Sequence, residues 1–242
     1  MLTPLQSIIP GVNISNLVSL EEISKGYTGG PLANGSMSTH PRKFAWQFFK
    51  GSDYLVEAAK SFEGQIVVDL GAGENLDGYI LANIAGAQSY IAVEPWNIQR
   101  LYPLLSDNEK LKGDPEINGM IESMMRFIGT IPSYDKDLVK RIQERVQAHL
   151  KGGPRTIPTS VAAEDILTFL RRLPTDSVSL LACGIDRCMI GNDEYASQVE
   201  EEITRTLNPK GAYLGMCSRF RPSGLRKDEA ASDKNFFEKF TI

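Results

Sequence analysis

Two segments of this chain carry its strongest structural signal, Gln65-Ile-Val-Val-Asp-Leu-Gly-Ala-Gly-Glu-Asn75 and Tyr90-Ile-Ala-Val-Glu94. In both stretches an apolar run ends at an acidic residue, and in the first stretch two glycines follow the acid. Glycine permits a sharp backbone turn and lets a ligand approach closely. This order predicts two parallel strands with a nucleoside-binding crevice at their carboxyl ends.

The composition of the chain is typical of a soluble globular protein. Hydrophobic residues make up 42% of its 242 residues and charged residues 23%, which suits one sizeable α/β domain. The formal net charge of −4 argues against a broad basic groove for nucleic acid. No apolar run approaches the roughly 18 residues of a membrane span. No Lys or Arg precedes Lys25, which argues against a signal peptide.

The cysteine and histidine content bears on compartment and on metal binding. Cys183, Cys188 and Cys217 form no CxxC pair and are odd in number, so we expect reduced thiols in a cytoplasmic protein. Only His40 and His149 are present, which excludes a His-rich metal site, and we predict no metal.

Apolar runs and helical periodicity alternate along most of the chain. Alternation of this kind implies a parallel sheet with right-handed crossovers. We therefore predict an α/β fold, a Rossmann-like three-layer sandwich with a mostly parallel sheet. The predicted strands are 66–70, 90–93, 159–163, 178–183 and 212–217, and the predicted helices are 42–60, 76–85, 166–173 and 194–207.

The region between the second and third strands is unusually long. Residues 95–158 are about three times what one crossover helix needs. Segments 117–128 and 134–150 have helical patterns, so we predict a helical insertion at about 97–158. It either lengthens the core or caps a substrate cleft.

The two ends of the chain are also distinctive. Residues 1–60 are expected to form an N-terminal segment of helix and loop, and 61–242 the main domain. After the fifth strand, 219–242 leaves room for a short helix and one strand at 236–242, but not for a full hairpin. We therefore expect a shortened C-terminal end.

The glycine motif resembles that of the class I methyltransferases, which bind S-adenosylmethionine. The family pattern is acid-x-Gly-x-Gly-x-Gly, and here Asn75 stands at the third glycine. Asn tolerates left-handed backbone, so the turn can persist. Similar elements follow in order, including Leu207-Asn-Pro-Lys-Gly-Ala-Tyr-Leu214, so that the resemblance covers 66–218. It implies a Rossmann-like fold and S-adenosylmethionine as the cofactor.

The two strand-ending acids have distinct expected roles. A carboxylate at Asp69 would repel a pyrophosphate but attract the ammonium of S-adenosylmethionine. Glu94 follows Gly73 by 21 positions, near the roughly 20 expected for an acid that binds ribose hydroxyls. The resemblance implies that Pro95 or Trp96 covers the adenine face, and the alternative is that Trp96 caps the core.

The segment Ala163-Glu-Asp-Ile-Leu-Thr-Phe-Leu170 resembles the third-strand signature of the family. The resemblance implies that Asp165 accepts a proton from the adenine amino group and that the Ile166 amide serves a ring nitrogen. Glu164 is the fallback acid, and Asp165 could also cap the helix. The predicted cofactor-binding residues are Asp69, Gly71, Ala72, Gly73, Asn75, Glu94, Pro95, Trp96, Glu164, Asp165, Ile166 and Cys183.

Catalytic candidates follow the fourth strand and precede the first. Asp186 could accept a proton from a substrate O–H or N–H, or else cap a helix or pair with Arg187. His40 could be a base or contact the cofactor carboxylate, although a solvated His is the commoner case. The chain lacks the Asn/Asp-Pro-Pro-Tyr motif of enzymes that methylate nucleobase or glutamine amino groups.

These observations predict a methyltransferase that transfers a methyl group to an O or N nucleophile of a small molecule or protein. A catalytically silent cofactor-binding partner subunit is the first alternative. An NAD-dependent oxidoreductase is the second alternative. Leu76 argues against it, because the dinucleotide motif G-x-G-x-x-G has glycine at that position.

Overall fold

The computed structural model describes residues 8–9, 54–73, 77–94, 135–150, 157–182, 192–216, 220–229 and 237–242. The helices are α1 (Tyr54–Phe62), α2 (Asp77–Ala85), α3 (Lys136–Leu150), α4 (Ile166–Arg172) and α5 (Asp193–Thr206). The strands are β1 (Ile66–Leu70), β2 (Ser89–Val93), β3 (Thr159–Ala162), β4 (Ser179–Ala182), β5 (Tyr213–Met216), β6 (Arg226–Lys227) and β7 (Phe237–Thr241).

The strands form one sheet in the order β3-β2-β1-β4-β5-β7-β6. Strands β1 to β5 run parallel to one another, whereas β7 runs antiparallel to both β5 and β6. This arrangement confirms the predicted Rossmann-like, mostly parallel sheet. The first five strands begin and end within one residue of the predicted bounds.

Both faces of the sheet are covered, which explains why its strands are apolar rather than alternating. Val68 and Leu70 of β1 point into a core that includes residues of α4 and α5. Their neighbours Val67 and Asp69 point to the opposite face, because successive strand side chains alternate. There Asp69 lies against Gly78 of α2, and Ser179 of β4 donates to the carbonyl of Ser61 in α1.

Helix α3 occupies the same face as α1 and α2. Arg145 of α3 donates to the carbonyl of Ala85 at 2.9 Å, and both Arg145 and Arg141 pair with Glu63 after α1. Gly86 (φ 80°) ends α2 where a Cβ would overlap the Arg145 guanidinium. This part of the insertion is therefore a packed crossover helix, while the segment 117–128 lies outside the described residues.

The C-terminal end contradicts one expectation. A hairpin was not expected, yet β6 and β7 pair antiparallel, with Arg226 opposite Thr241 and Lys227 opposite Phe240. The pairing needs only two residues of β6, because β7 obtains its main support from β5 on its other edge. The predicted strand at 236–242 is confirmed as β7.

The N-terminal segment contributes two described residues to the main core. Ile8 and Ile9 are buried with the α4–α5 side of the sheet. The proposed domain boundary after residue 60 stays a prediction. Among the described residues, no helix combines the length and apolarity needed to cross a membrane.

Candidate cofactor site

The glycine turn after β1 has the backbone conformation that its sequence predicts. Gly71 (φ 67°) and Gly73 (φ 68°) lie in the left-handed region, where a side chain would be strained. The amides of Gly71 and Ala72 both donate to the carbonyl of Val93, at 3.0 and 3.1 Å. Of the residues that the structure describes, none lies within 4 Å of a Cβ placed on Gly73, so on that side the turn is open to the approach of a ligand.

Glu94 joins this turn directly. Glu94 is 3% exposed, and its Oε2 accepts a hydrogen bond of 2.8 Å from the Gly73 amide. The Glu94 amide donates to the carbonyl of Ala162 at the end of β3. Two residues 21 positions apart are therefore held together at the carboxyl ends of the parallel strands.

Asp69 lies in β1, directly before the glycine turn, with its carboxylate buried between β2 and α2. The residue is 1% exposed, and its Oδ2 accepts a hydrogen bond of 2.8 Å from the Tyr90 hydroxyl of β2. A Cβ on Gly78 would overlap the same oxygen, so the carboxylate lies between β2 and the first turn of α2. This placement joins the end of β1 to both β2 and α2. The predicted contact with a ligand ammonium stays a prediction.

Asp165 caps α4, as one of its two predicted roles requires. Its Oδ1 accepts from the Thr168 amide at 3.0 Å and from the Tyr195 hydroxyl at 3.0 Å. The side chain is half-buried. The capping role is confirmed, while adenine recognition stays a prediction.

Glu164 and Ile166 differ from Asp165 in their surroundings. Glu164 is buried and forms an ion pair with Arg172, the last residue of α4. Burial lowers the pKa of Arg172. The Ile166 side chain is buried in the core, and its predicted role belongs to its amide. Glu164 is therefore engaged by an arginine, and its role as the fallback acid stays a prediction.

The remaining predicted site residues lie outside the described residues. They include both catalytic candidates, Asp186 and His40, and the cofactor candidates Asn75, Pro95, Trp96 and Cys183. Strand β4 ends at Ala182 and pairs directly with β1. The roles assigned to these residues stay predictions.

Three residues of the site were missed from the sequence. Tyr90 lies on the same strand face as Glu94, and a buried tyrosine hydroxyl needs a hydrogen-bond partner. The alternation of side chains along β2 could therefore have pointed to Tyr90 as a residue near the site. Gly78 is a glycine inside a helix, which often marks close packing. Tyr195 falls in the predicted helix 194–207, and nothing in the sequence pairs it with Asp165.

Comparison with known proteins gave structural neighbours only. No family model and no curated protein matches the sequence. The rRNA methyltransferase AviRa of Streptomyces viridochromogenes aligns with a TM-score of 0.47 and 10% identity, over 88% of this chain and 90% of that chain. A cyclopropane synthase of Mycobacterium tuberculosis has a TM-score of 0.39 and 11% identity, over 82% and 52%.

A methyltransferase of Agrobacterium tumefaciens dependent on S-adenosylmethionine has a TM-score of 0.34 and 14% identity, over 75% and 46% of the two chains. The chain thus spans most of AviRa but only about half the length of the other two proteins. Because these TM-scores are all below 0.5, the strand order is what identifies the fold.

The strand order distinguishes two kinds of Rossmann-like sheet. Dinucleotide-binding enzymes have the classic order 3-2-1-4-5-6. Here an antiparallel β7 lies between β5 and β6, giving 3-2-1-4-5-7-6. The chain therefore has the fold of the class I S-adenosylmethionine-dependent methyltransferases.

Proposed function

We propose that the chain is a methyltransferase that uses S-adenosylmethionine to methylate an O or N nucleophile of a small molecule or a protein. The observation that carries the proposal is the hydrogen bond between Glu94 and the Gly73 amide. It joins the acid suited to ribose hydroxyls to the glycine turn suited to close approach of a ligand. The antiparallel β7 supports the same assignment.

The described residues fit an adenosyl ligand. A carboxylate offers about four lone-pair positions, so Glu94 can bind the Gly73 amide and still accept from ribose hydroxyls. No described part of the chain fills the space beside Gly73, which leaves room there for the ligand. Asp165 is proposed to accept from the adenine amino group, and Asp69 to favour the ammonium.

When bound, S-adenosylmethionine supplies a methyl group already activated by a sulfonium for in-line displacement. The residues of the chain therefore mainly have to align the nucleophile. Asp186 is proposed to accept a proton from the substrate O–H or N–H. His40 is proposed to assist as a base or as a contact to the cofactor carboxylate.

Two other functions share parts of this site. A silent cofactor-binding subunit would keep Glu94 and the glycine turn but lack turnover. An NAD-dependent oxidoreductase is disfavoured by Leu76 and by the antiparallel β7.

Calorimetric titration with S-adenosylmethionine, S-adenosylhomocysteine and NAD tests the proposed cofactor. Wild-type protein should bind both adenosyl ligands. Glu94→Ala should lower the affinity for each of them about 10- to 100-fold, since hydrogen bonds to a charged group contribute roughly 1.5–3 kcal/mol. Glu94→Gln keeps an acceptor oxygen and should lose less. Glu144→Gln, on the exposed face of α3, is the control. Absence of adenosyl binding, or binding of NAD alone, would contradict the proposal.

Turnover separates an enzyme from a binding subunit. Transfer of a labelled methyl group would be measured against small alcohols, amines, peptides and RNA. Release of S-adenosylhomocysteine that is reduced in Asp186→Asn supports the enzyme. Tight cofactor binding without transfer to any acceptor class would favour the silent subunit.

A further inference from the structure

Tyr195 lies in the first turn of α5, and its hydroxyl reaches the start of α4. The hydroxyl donates to Asp165 Oδ1 at 3.0 Å and accepts from the Leu167 amide at 3.3 Å. With the amide as donor to the oxygen, the single hydroxyl proton is directed at Asp165. The interaction joins residues 30 positions apart.

The two oxygens of Asp165 are consequently different. Oδ1 receives both the Tyr195 hydroxyl and the Thr168 amide. Within the described parts of the chain, Oδ2 accepts no hydrogen bond from a protein group. An incoming N–H donor would therefore find its acceptor at Oδ2, while Oδ1 holds the carboxylate plane in place.

We propose that Tyr195 is a positioning residue for adenine recognition, holding Asp165 so that Oδ2 faces the adenine amino group. The proposal rests on the proposed function, because it concerns the same ligand. A carboxylate torsion is broad and roughly two-fold, so one amide alone would leave the oxygen positions loosely defined. The second hydrogen bond comes from Tyr195 on another helix, and it restricts the positions of the Asp165 carboxylate oxygens.

Protonation of Tyr195 is favourable to this role. Burial, with the nearby charge of Asp165, raises the pKa of the Tyr195 hydroxyl above its usual value. The hydroxyl therefore remains a donor throughout the neutral and mildly alkaline range.

The test is a comparison of two ligands that differ at one purine position. S-adenosylhomocysteine carries an amino donor at position 6, whereas S-inosylhomocysteine carries an oxo acceptor there. A carboxylate acceptor should favour the adenosyl ligand, and the ratio of the two dissociation constants measures that preference. We expect Tyr195→Phe to lower the ratio about 3- to 10-fold, less than the loss of a direct hydrogen bond to a charged group, because Tyr195 acts on the ligand only through Asp165.

Two further variants make the outcome specific. Ser197→Ala, on the same turn of α5, removes a hydroxyl that donates to the Asp193 carbonyl within the helix, and it should leave the ratio unchanged. In an Asp165→Ala background, Tyr195→Phe should no longer affect the ratio, because Tyr195 acts through Asp165.

If Tyr195 had a merely structural role, Tyr195→Phe would weaken the binding of both ligands equally and leave the ratio at its wild-type value. That result would overturn the inference while leaving the proposed function intact. An effect of Tyr195→Phe that persists without Asp165 would also overturn it. Failure of wild-type protein to bind S-adenosylhomocysteine would overturn both proposals.

Discussion

The Tyr90 hydroxyl donates a hydrogen bond of 2.8 Å to Asp69 Oδ2 across the β1–β2 pair, with both residues buried. The Tyr90 ring also meets Tyr79 of α2 edge to face, with centroids 5.7 Å apart. Gly78 of α2 lies against the same carboxylate. The acid before the glycine turn is thus tied at once to the next strand and to the helix that follows the turn.

Removing the Tyr90 hydroxyl should destabilise the protein. Tyr90→Phe keeps the ring contact with Tyr79 but deprives a buried carboxylate of a donor, which should lower the free energy of unfolding by about 1–3 kcal/mol. Urea denaturation measures the change. The same substitution in an Asp69→Ala background should cost much less. A loss below about 0.5 kcal/mol in the wild-type background would contradict the coupling.

Gly78→Ala should destabilise, against the usual helix trend. Alanine normally stabilises a helix by roughly 0.5–1 kcal/mol relative to glycine. Here its Cβ would overlap Asp69 and lie 3.1 Å from Leu181 Cδ2, so we expect a net loss of about 1–3 kcal/mol in the free energy of unfolding. Asp69→Ala should recover part of that loss. A stabilised Gly78→Ala protein would show that Asp69 does not pack against α2.

Glu63 should make stability depend on pH through α3. The hydrogen bond from Arg145, joined by that from Arg141, holds the pKa of Glu63 below its usual value. The resulting stabilisation is present above the unfolded-state pKa and is lost as pH falls through the lowered folded-state pKa. Because the Glu63 side chain is 37% exposed, Glu63→Gln should cost at most about 1 kcal/mol at pH 7.

Urea denaturation at neutral and acidic pH measures this effect. The stability difference between wild type and Glu63→Gln should shrink as the solution is acidified. Glu144→Gln, at an exposed position of α3, is the matched control. Its stability difference from wild type should not shrink at acidic pH. A difference that stays constant with pH would contradict the assignment.

Lys239 should anchor the C-terminal hairpin to the rest of the fold. Its Nζ lies 2.9 Å from Glu57 Oε2 on α1, and the two side chains are 12% and 9% exposed. Lys239→Met should lower the free energy of unfolding by about 1–3 kcal/mol, because it removes a charged partner from a buried carboxylate.

Calorimetric or chemical unfolding would measure that loss. Glu57→Gln combined with Lys239→Met should cost less than the sum of the two single changes. Lys210→Met, at an exposed position in the turn before β5, is the control. Additive costs would indicate that the pair does not couple the hairpin to α1.

The elements that sequence predicted well are those with a strong local pattern. Strands β1 and β2 are apolar runs bounded by glycines or acids, and α5 carries its apolar residues at helical spacing. The short strand β6 was missed, because Arg226 and Lys227 carry no apolar signal. Its existence depends on the edge that β7 offers, which is a property of the assembled sheet.

The candidate site divides in the same way. The left-handed conformations of Gly71 and Gly73 and the place of Glu94 at the end of β2 follow from local sequence. The hydrogen bonds of Tyr90 to Asp69 and of Tyr195 to Asp165 join distant segments. No short pattern encodes them.

Residue order and backbone preference are enough to account for the alternation of strands and helices, the glycine turn and the acids that end the strands. Which partner each acid has depends instead on how the strands and helices pack. Asp69 meets Tyr90 and Gly78, and Asp165 meets Tyr195, because strand order and helix packing bring those side chains within hydrogen-bond distance. Hydrogen bonds need atoms about 3 Å apart, and that condition is met only once the layers have packed.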